Sequence, residues 1–231
     1  MGRVDISVMT ELSYRTSESY KSLRTNIEFC GKDQKVIAIT SCLPNEGKSN
    51  VSLNLAASLA ETGKRVMFID ADLRKSVLLG RLGVMDKVMG LTNFLAGQCQ
   101  FNEMVNGTNY PTLNMIFAGP VPPNPAELLG SNTFRDIISY LRNTYDYVII
   151  DTPPLGSVID SAIIAKECDG AAIVLAANSI SYKFARKVKE QLDMSGCKVL
   201  GVIMNKVDMS ENGYYGKYYG KYYGQYYGNE K

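Results

Sequence analysis

Six short runs constrain this chain more than any other feature: KVIAITS (35–41), RVMFID (65–70), LNMIFAG (113–119), YDYVIID (145–151), GAAIVLAAN (170–178) and KVLGVIMNK (198–206). A strand with one wet face alternates apolar and polar residues. These runs are apolar on both faces, so they read as parallel strands covered on both sides. Between the first two, SNVSLNLAASLAETG (49–63) has helical spacing, with Leu53, Ala56, Ala57 and Ala60 on one side, and closes at Gly63. The pattern predicts an α/β fold, a doubly wound, mainly parallel sheet with helices on both faces. Its ligand site belongs at the carboxyl ends of the strands. Residues 16–30 predict a further helix, started by a Ser or Thr cap with Glu18 in its first turn. Residues 119–131 are a proline-dense loop leading into a short helix. The expected parts are an N-terminal segment with a helix (1–33), a core domain (34–212) and a tail (213–231).

Several chemistries are excluded by composition. The chain has no histidine, so Ser-His and Cys-His nucleophile pairs and imidazole metal sites are absent. Its five cysteines are scattered without a C-x-x-C pair, which argues against a disulfide framework and a zinc site. The net charge of +2 comes from the tail, which carries three lysines against one glutamate. A neutral body lacks the basic face that nucleic acid requires, so no nucleic-acid partner is expected. With no signal-peptide pattern and no long apolar run, the chain is expected to be cytoplasmic.

Directly after the first core strand comes SCLPNEGKSN (41–50), followed by a helix. Gly-Lys-Ser at a helix start is the end of a P-loop, whose backbone amides wrap phosphates. The expected nucleotide loop comprises Pro44, Asn45, Glu46, Gly47, Lys48, Ser49 and Asn50. Gly47 lets the backbone approach the oxygens, Lys48 reaches the β- and γ-phosphates, and the Ser49 hydroxyl faces Mg²⁺. The helix N-terminus adds partial positive charge. The first glycine of the pattern is replaced by Cys42, read as a small loop residue.

Three acids end strands on the same rim. Asp70 and Asp72 close FIDADLR (68–74), two residues apart and on one side of an extended chain, and Asp151 closes VIID (148–151). Their mutual repulsion beside phosphates calls for a cation, and Mg²⁺ bridging ATP meets that need. The metal set is therefore Ser49, Asp70, Asp72 and Asp151. The plainer alternative is that Asp70 and Asp72 cap the segment that follows.

Eight of the fifteen tyrosines lie in the last eighteen residues: Tyr214, Tyr215, Tyr218, Tyr219, Tyr222, Tyr223, Tyr226 and Tyr227. Glycine at every fourth position opposes helix formation, and the segment has little to bury. Such a tail keeps phenols in water and reaches at most roughly 60 Å. Read alone, it also fits an adhesive low-complexity segment.

Together these motifs resemble the bacterial tyrosine kinases (BY-kinases), specifically the separate cytoplasmic subunits of the CpsD/CapB type. The resemblance rests on EGKS (46–49), DADLR (70–74), IIDTPP (149–154), PPNPAELL (122–129) and the tyrosine cluster. It implies a P-loop fold related to the Min and Par ATPases, with Lys48, Asp70, Asp72 and Asp151 catalytic and Asp70 the preferred base. It implies ATP and Mg²⁺ as cofactors, autophosphorylation of the tail tyrosines, and a role in capsule or exopolysaccharide synthesis. Arg74 is left between a charge on the transition state and a structural residue. In MNKVD (204–208), Asn205 is the expected base contact, against an ordinary strand-end turn. The family's E-x-x-R-x-x-R reads Glu18, Lys21, Arg24 here. It implies a homo-oligomer, a ring, with one bidentate fork lost to lysine; the alternative is i, i+3 pairing on an exposed helix. A membrane adaptor of the polysaccharide co-polymerase type and a cognate phosphatase complete the implied partners, placing the chain at the inner face of the membrane. The other reading is a Min/Par-type ATPase switch, which Leu43, standing where those proteins carry a lysine, disfavours.

Overall fold

The computed structural model describes residues 2–84 and 88–208. In chain order the elements are β1 (Arg3–Val4), α1 (Ser7–Thr10), α2 (Tyr14–Phe29), β2 (Val36–Ser41), α3 (Lys48–Ala60), β3 (Val66–Asp70), α4 (Leu78–Arg81), α5 (Leu91–Leu95), α6 (Phe101–Met104), β4 (Val105–Thr108), β5 (Leu113–Ile116), α7 (Pro125–Leu129), α8 (Asn132–Thr144), β6 (Tyr147–Asp151), α9 (Asp160–Ala165), β7 (Gly170–Ala176), α10 (Tyr182–Asp193) and β8 (Lys198–Asn205). The eight strands form one sheet in the order β1-β4-β5-β3-β6-β2-β7-β8. All neighbours run parallel except β4 and β5. The six expected strands are all present, and the fold is the doubly wound α/β type.

The period-2 rule sorts the core into two layers. Val36, Ala38, Met67, Ile69, Val148 and Ile150 face the side covered by α5 to α10. Ile37, Ile39, Val66, Phe68 and Ile149 face the side covered by α1 to α4. Burial on both faces explains why these runs do not alternate. Strand β2 lies between β6 and β7, so the loop after it opens where the sheet turns from one half to the other.

Four details differ from expectation. Helix α2 begins at Tyr14, capped by Ser13, whose hydroxyl accepts from Thr16 N at 3.4 Å; Glu18 therefore lies beyond the first turn. From Val51 onward helix α3 is buried on all sides rather than along one stripe, because α1 and α2 pack over its outer surface. Strands β1 and β4 were not foreseen, since VNGT (105–108) carries neither an apolar run nor alternation. Strand β8 forms the sheet edge, and Val202 and Met204 on it are 53% and 45% exposed. The expected tail and its eight tyrosines lie outside the described residues.

Candidate active site

The loop after β2 is shaped by a carboxylate that the sequence did not single out for that task. Glu46 is buried, and its Oε2 accepts from the Cys42 and Leu43 amides, both at 2.8 Å. Its Oε1 accepts from Ala176 N at 3.2 Å and Ser179 Oγ at 3.0 Å. Glu46 therefore faces into the loop and fastens it to the end of β7. Asn45 and Gly47 adopt left-handed backbone (φ 64° and 89°), which turns the chain sharply into α3. A side chain at Gly47 would also collide with the Asn205 amide. Pro44 and Asn45 are exposed at the loop tip. Asn50, in the first turn of α3, accepts from Arg81 at 2.8 Å. Burial pushes the Cys42 thiol up to about 12, reinforced by Glu46, so it stays protonated near neutrality and is no nucleophile.

Lys48, the first residue of α3, is the hub of the site. Its Nζ lies 3.3 Å from Asp72 Oδ2, 3.5 Å from Asp151 Oδ2 and 3.4 Å from Ser49 Oγ. Parallel register sets Asp70 beside Asp151 at the ends of β3 and β6. Burial lifts Asp70 to about 7, with the Asp151 charge adding to the effect. Asp151 is also raised, first by burial, against which Lys48 pulls. Burial alone would lower Lys48, but Asp151, Asp72 and Asp70 outweigh it and hold the ammonium charged. Asp70 accepts from the Asp72 amide at 3.2 Å and from the Ser76 hydroxyl. Asp72 accepts from Lys75 N at 3.0 Å.

A magnesium ion fits this donor set in a specific way. Asp151 Oδ1 is buried without a hydrogen-bond partner, and an orphaned carboxylate oxygen is a site awaiting a cation. Among the described residues no three acids converge closely enough to cage a metal by themselves. Mg²⁺ commonly takes only one or two carboxylates and completes its shell with phosphates and water. Asp151 Oδ1 thus suits an ion that arrives with a nucleotide.

On the opposite wall, Asn205 Nδ2 donates to Glu46 O at 2.9 Å, and Lys206 Nζ donates to Asn45 O at 2.6 Å. The end of β8 is therefore bonded to the P-loop, leaving Asn205 Oδ1 as its acceptor. Arg74 does not point at the phosphate region: it grips Asp160 with two bonds, at 2.7 and 2.9 Å. On α2, Glu18 and Lys21 pair with each other at 2.7 Å. Arg24 donates to Ser58 O at 2.8 Å in the last turn of α3. Two of the three expected interface residues thus form the local pair that the alternative reading described, and the third docks within the chain.

Comparison with known proteins settles the family. Residues 34–189 match the AAA domain family. The tyrosine-protein kinase CpsD of Streptococcus agalactiae is 45% identical over 208 residues, 88% of this chain and 91% of that protein. The chain belongs to the bacterial tyrosine kinases. The kinase domain of Escherichia coli tyrosine kinase ETK superposes with a TM-score of 0.78 at 31% identity, covering 82% of this kinase and 74% of that chain. The septum site-determining protein MinD of Pyrococcus horikoshii, complexed with Mg-ADP, gives 0.65 at 26% identity, covering 78% and 73%. The MinD likeness confirms the P-loop fold, and the 45% relative decides between the kinase and the ATPase switch. This kinase uses a nucleotide P-loop to phosphorylate protein tyrosine. Among the described residues no helix is long and apolar enough to cross a membrane.

Proposed function

We propose that this kinase autophosphorylates its C-terminal tyrosines, Tyr214 to Tyr227, in trans within an oligomer, and thereby regulates capsule or exopolysaccharide synthesis and export. The observation that carries the reading is Lys48 Nζ standing between Asp72 and Asp151 at the mouth of the P-loop. A cation there offsets the repulsion between the acids without nucleotide, and it is placed to turn towards the phosphates when ATP enters. Glycine 47 and the amides of residues 44–50 would cradle the phosphates, with Asn205 Oδ1 accepting from the adenine amine. The oxygens of Ser49, Asp151, Asp72 and Asp70 would hold Mg²⁺, some directly and the rest through its waters. Bound with ATP, that ion supplies charge neutralisation at the β- and γ-phosphates.

The phenol of an incoming tyrosine attacks the γ-phosphorus, the bond to the β–γ bridging oxygen breaks, and ADP leaves. Asp70, buried at the end of β3 beside Asp151, is the preferred acceptor of the phenolic proton. A phenol titrates near 10, so the proton moves late in the transfer. Most of the acceleration then comes from positioning and neutralisation.

Glu18, Lys21 and Arg24 lie on one outward helix, and Glu18 and Lys21 are half exposed, so they are open to exchanging partners with a neighbouring subunit in a ring. A membrane adaptor of the co-polymerase type would hold the ring at the inner face of the membrane, and a phosphatase would reset the tail. The test mixes a Lys48→Met chain carrying its tail with an active chain lacking residues 214–231, in γ-labelled ATP. Label on the tail of the Lys48→Met chain is expected. Its absence, with the active chain still releasing labelled phosphate, would refute transfer in trans.

A further inference from the structure

Past Ala71, whose amide donates to Asp151 O at 2.8 Å, the turn carrying Asp72 is joined to the frame by two ion pairs among the described residues. One is Lys48–Asp72 at 3.3 Å. Lys48 is also the group that must turn to the phosphates when nucleotide enters, so that tie is given up as the site fills. The other is Arg74–Asp160, where Nε donates to Oδ2 at 2.7 Å and Nη2 to Oδ1 at 2.9 Å. This second tie touches no part of the nucleotide loop.

Asp160 is fully buried and opens helix α9. Its neighbour Ser161 donates to Pro153 O, which also accepts from Thr40 Oγ1 at 2.9 Å. The start of α9 is thus fixed to the segment that follows Asp151 and to the end of β2. A buried carboxylate demands a partner, and the planar two-point grip fixes direction as well as distance, which a lysine cannot do.

We propose that Arg74 and Asp160 form a positioning strut: the pair holds the Asp70–Ser76 turn against the Asp151–Ser161 segment, so that Asp70 and Asp72 keep their place while Lys48 is engaged by phosphate. Arg74 acts through the acids and does not itself touch the transferred group. The inference rests on the reading of Asp70 and Asp72 as the acids of the transfer site.

The test is a double-mutant cycle on the full chain: Arg74→Ala, Asp160→Asn and the double variant, with Arg74→Lys alongside. Single-turnover tail labelling, ADP affinity by fluorescent nucleotide titration and melting temperature are read on the same samples. A misplaced catalytic group loses rate on the order of a hundredfold. Each single variant is expected to slow labelling by about that factor while ADP affinity stays within about twofold, the signature of a purely transition-state loss. The double variant should be no slower than the slower single one, because both substitutions break one link. Arg74→Lys should recover part of the rate.

Wild-type labelling by Asp160→Asn beside a slow Arg74→Ala would overturn the strut and put Arg74 on the phosphoryl group. Independent, multiplying losses would overturn it too, as would loss of ADP affinity in step with rate. Should Asp160→Asn not fold, the partly exposed Arg74 variants still decide: a rate within about twofold of wild type for Arg74→Ala refutes the strut. Asp70→Ala in the same assay separates the two ideas, since full labelling there refutes the site reading and not the strut alone.

Discussion

Asp70→Asn should make the nucleotide-free kinase more stable near neutrality, and the gain should depend on pH. In the native chain Asp70 is buried beside Asp151, and its proton affinity is lifted from the ordinary 3.8 to about 7. Between those two values the folded state binds a proton that the unfolded chain releases. Stability from this group is therefore complete below about pH 4 and is lost as pH rises through about 7. At about 1.4 kcal/mol per unit, the full span is roughly 4 kcal/mol, and sharing with the adjoining Asp151 and Lys48 brings the expected loss to roughly 2–4 kcal/mol. Asparagine keeps the Oδ1 that accepts from the Asp72 amide and offers Ser76 a polar partner, so the geometry survives without the charge. Urea unfolding in chelator at pH 4.5, 6 and 8 is the assay. Wild type should fall below Asp70→Asn progressively across that range, and Mg-ADP should stabilise wild type more than the variant. Parallel profiles, separated by the same free energy at every pH to within about 0.5 kcal/mol, would refute the account of Asp70 as a carboxylate held in reserve.

Removing the Glu46 side chain (Glu46→Ala) orphans the Cys42, Leu43 and Ala176 amides. At roughly 1–3 kcal/mol for each unsatisfied buried group, a loss of about 3 kcal/mol or more is expected in urea unfolding, with ADP affinity falling by about tenfold or more as the loop opens. Unchanged ADP titration would show that the clamp is dispensable. Phe134→Ala, in the core beneath α8, should cost about 3–5 kcal/mol and lower the melting temperature by roughly 10 °C in calorimetry, without altering ADP affinity in the cold. A shift of only roughly 2 °C would mean that the layer repacks around the gap.

The sheet was legible because burial on both faces leaves its mark on every residue of a strand, and β2, β3, β6 and β7 carry that mark throughout. Strands β1 and β4 escaped because a two-residue pairing and the sequence VNGT leave no periodic trace. The outer cover of α3 was equally hidden: alanine and serine suit a crowded surface and an exposed one alike. At the site, Gly47, Lys48 and the three acids belong to short motifs that stand out in the sequence at fixed spacing. Glu46 was placed in the loop, but two of its four inward bonds depend on β7 and the turn beyond it, 130 and 133 residues away along the chain. Asp160 gave no signal at all, since a carboxylate nine residues after Asp151 acquires meaning only when Arg74 is folded onto it.

Beyond its first turn helix α3 has no solvent-facing side: the sheet closes one flank, and α1 with α2 closes the other. A close-packed interior resists small displacements, so the rod whose tip meets the phosphates behaves as the stationary jaw of a vice. What changes between the empty and loaded kinase is then the Lys48 side chain at the rod's tip, swinging from the acids to the phosphates, while the rod and the two acidic turns facing it stay put.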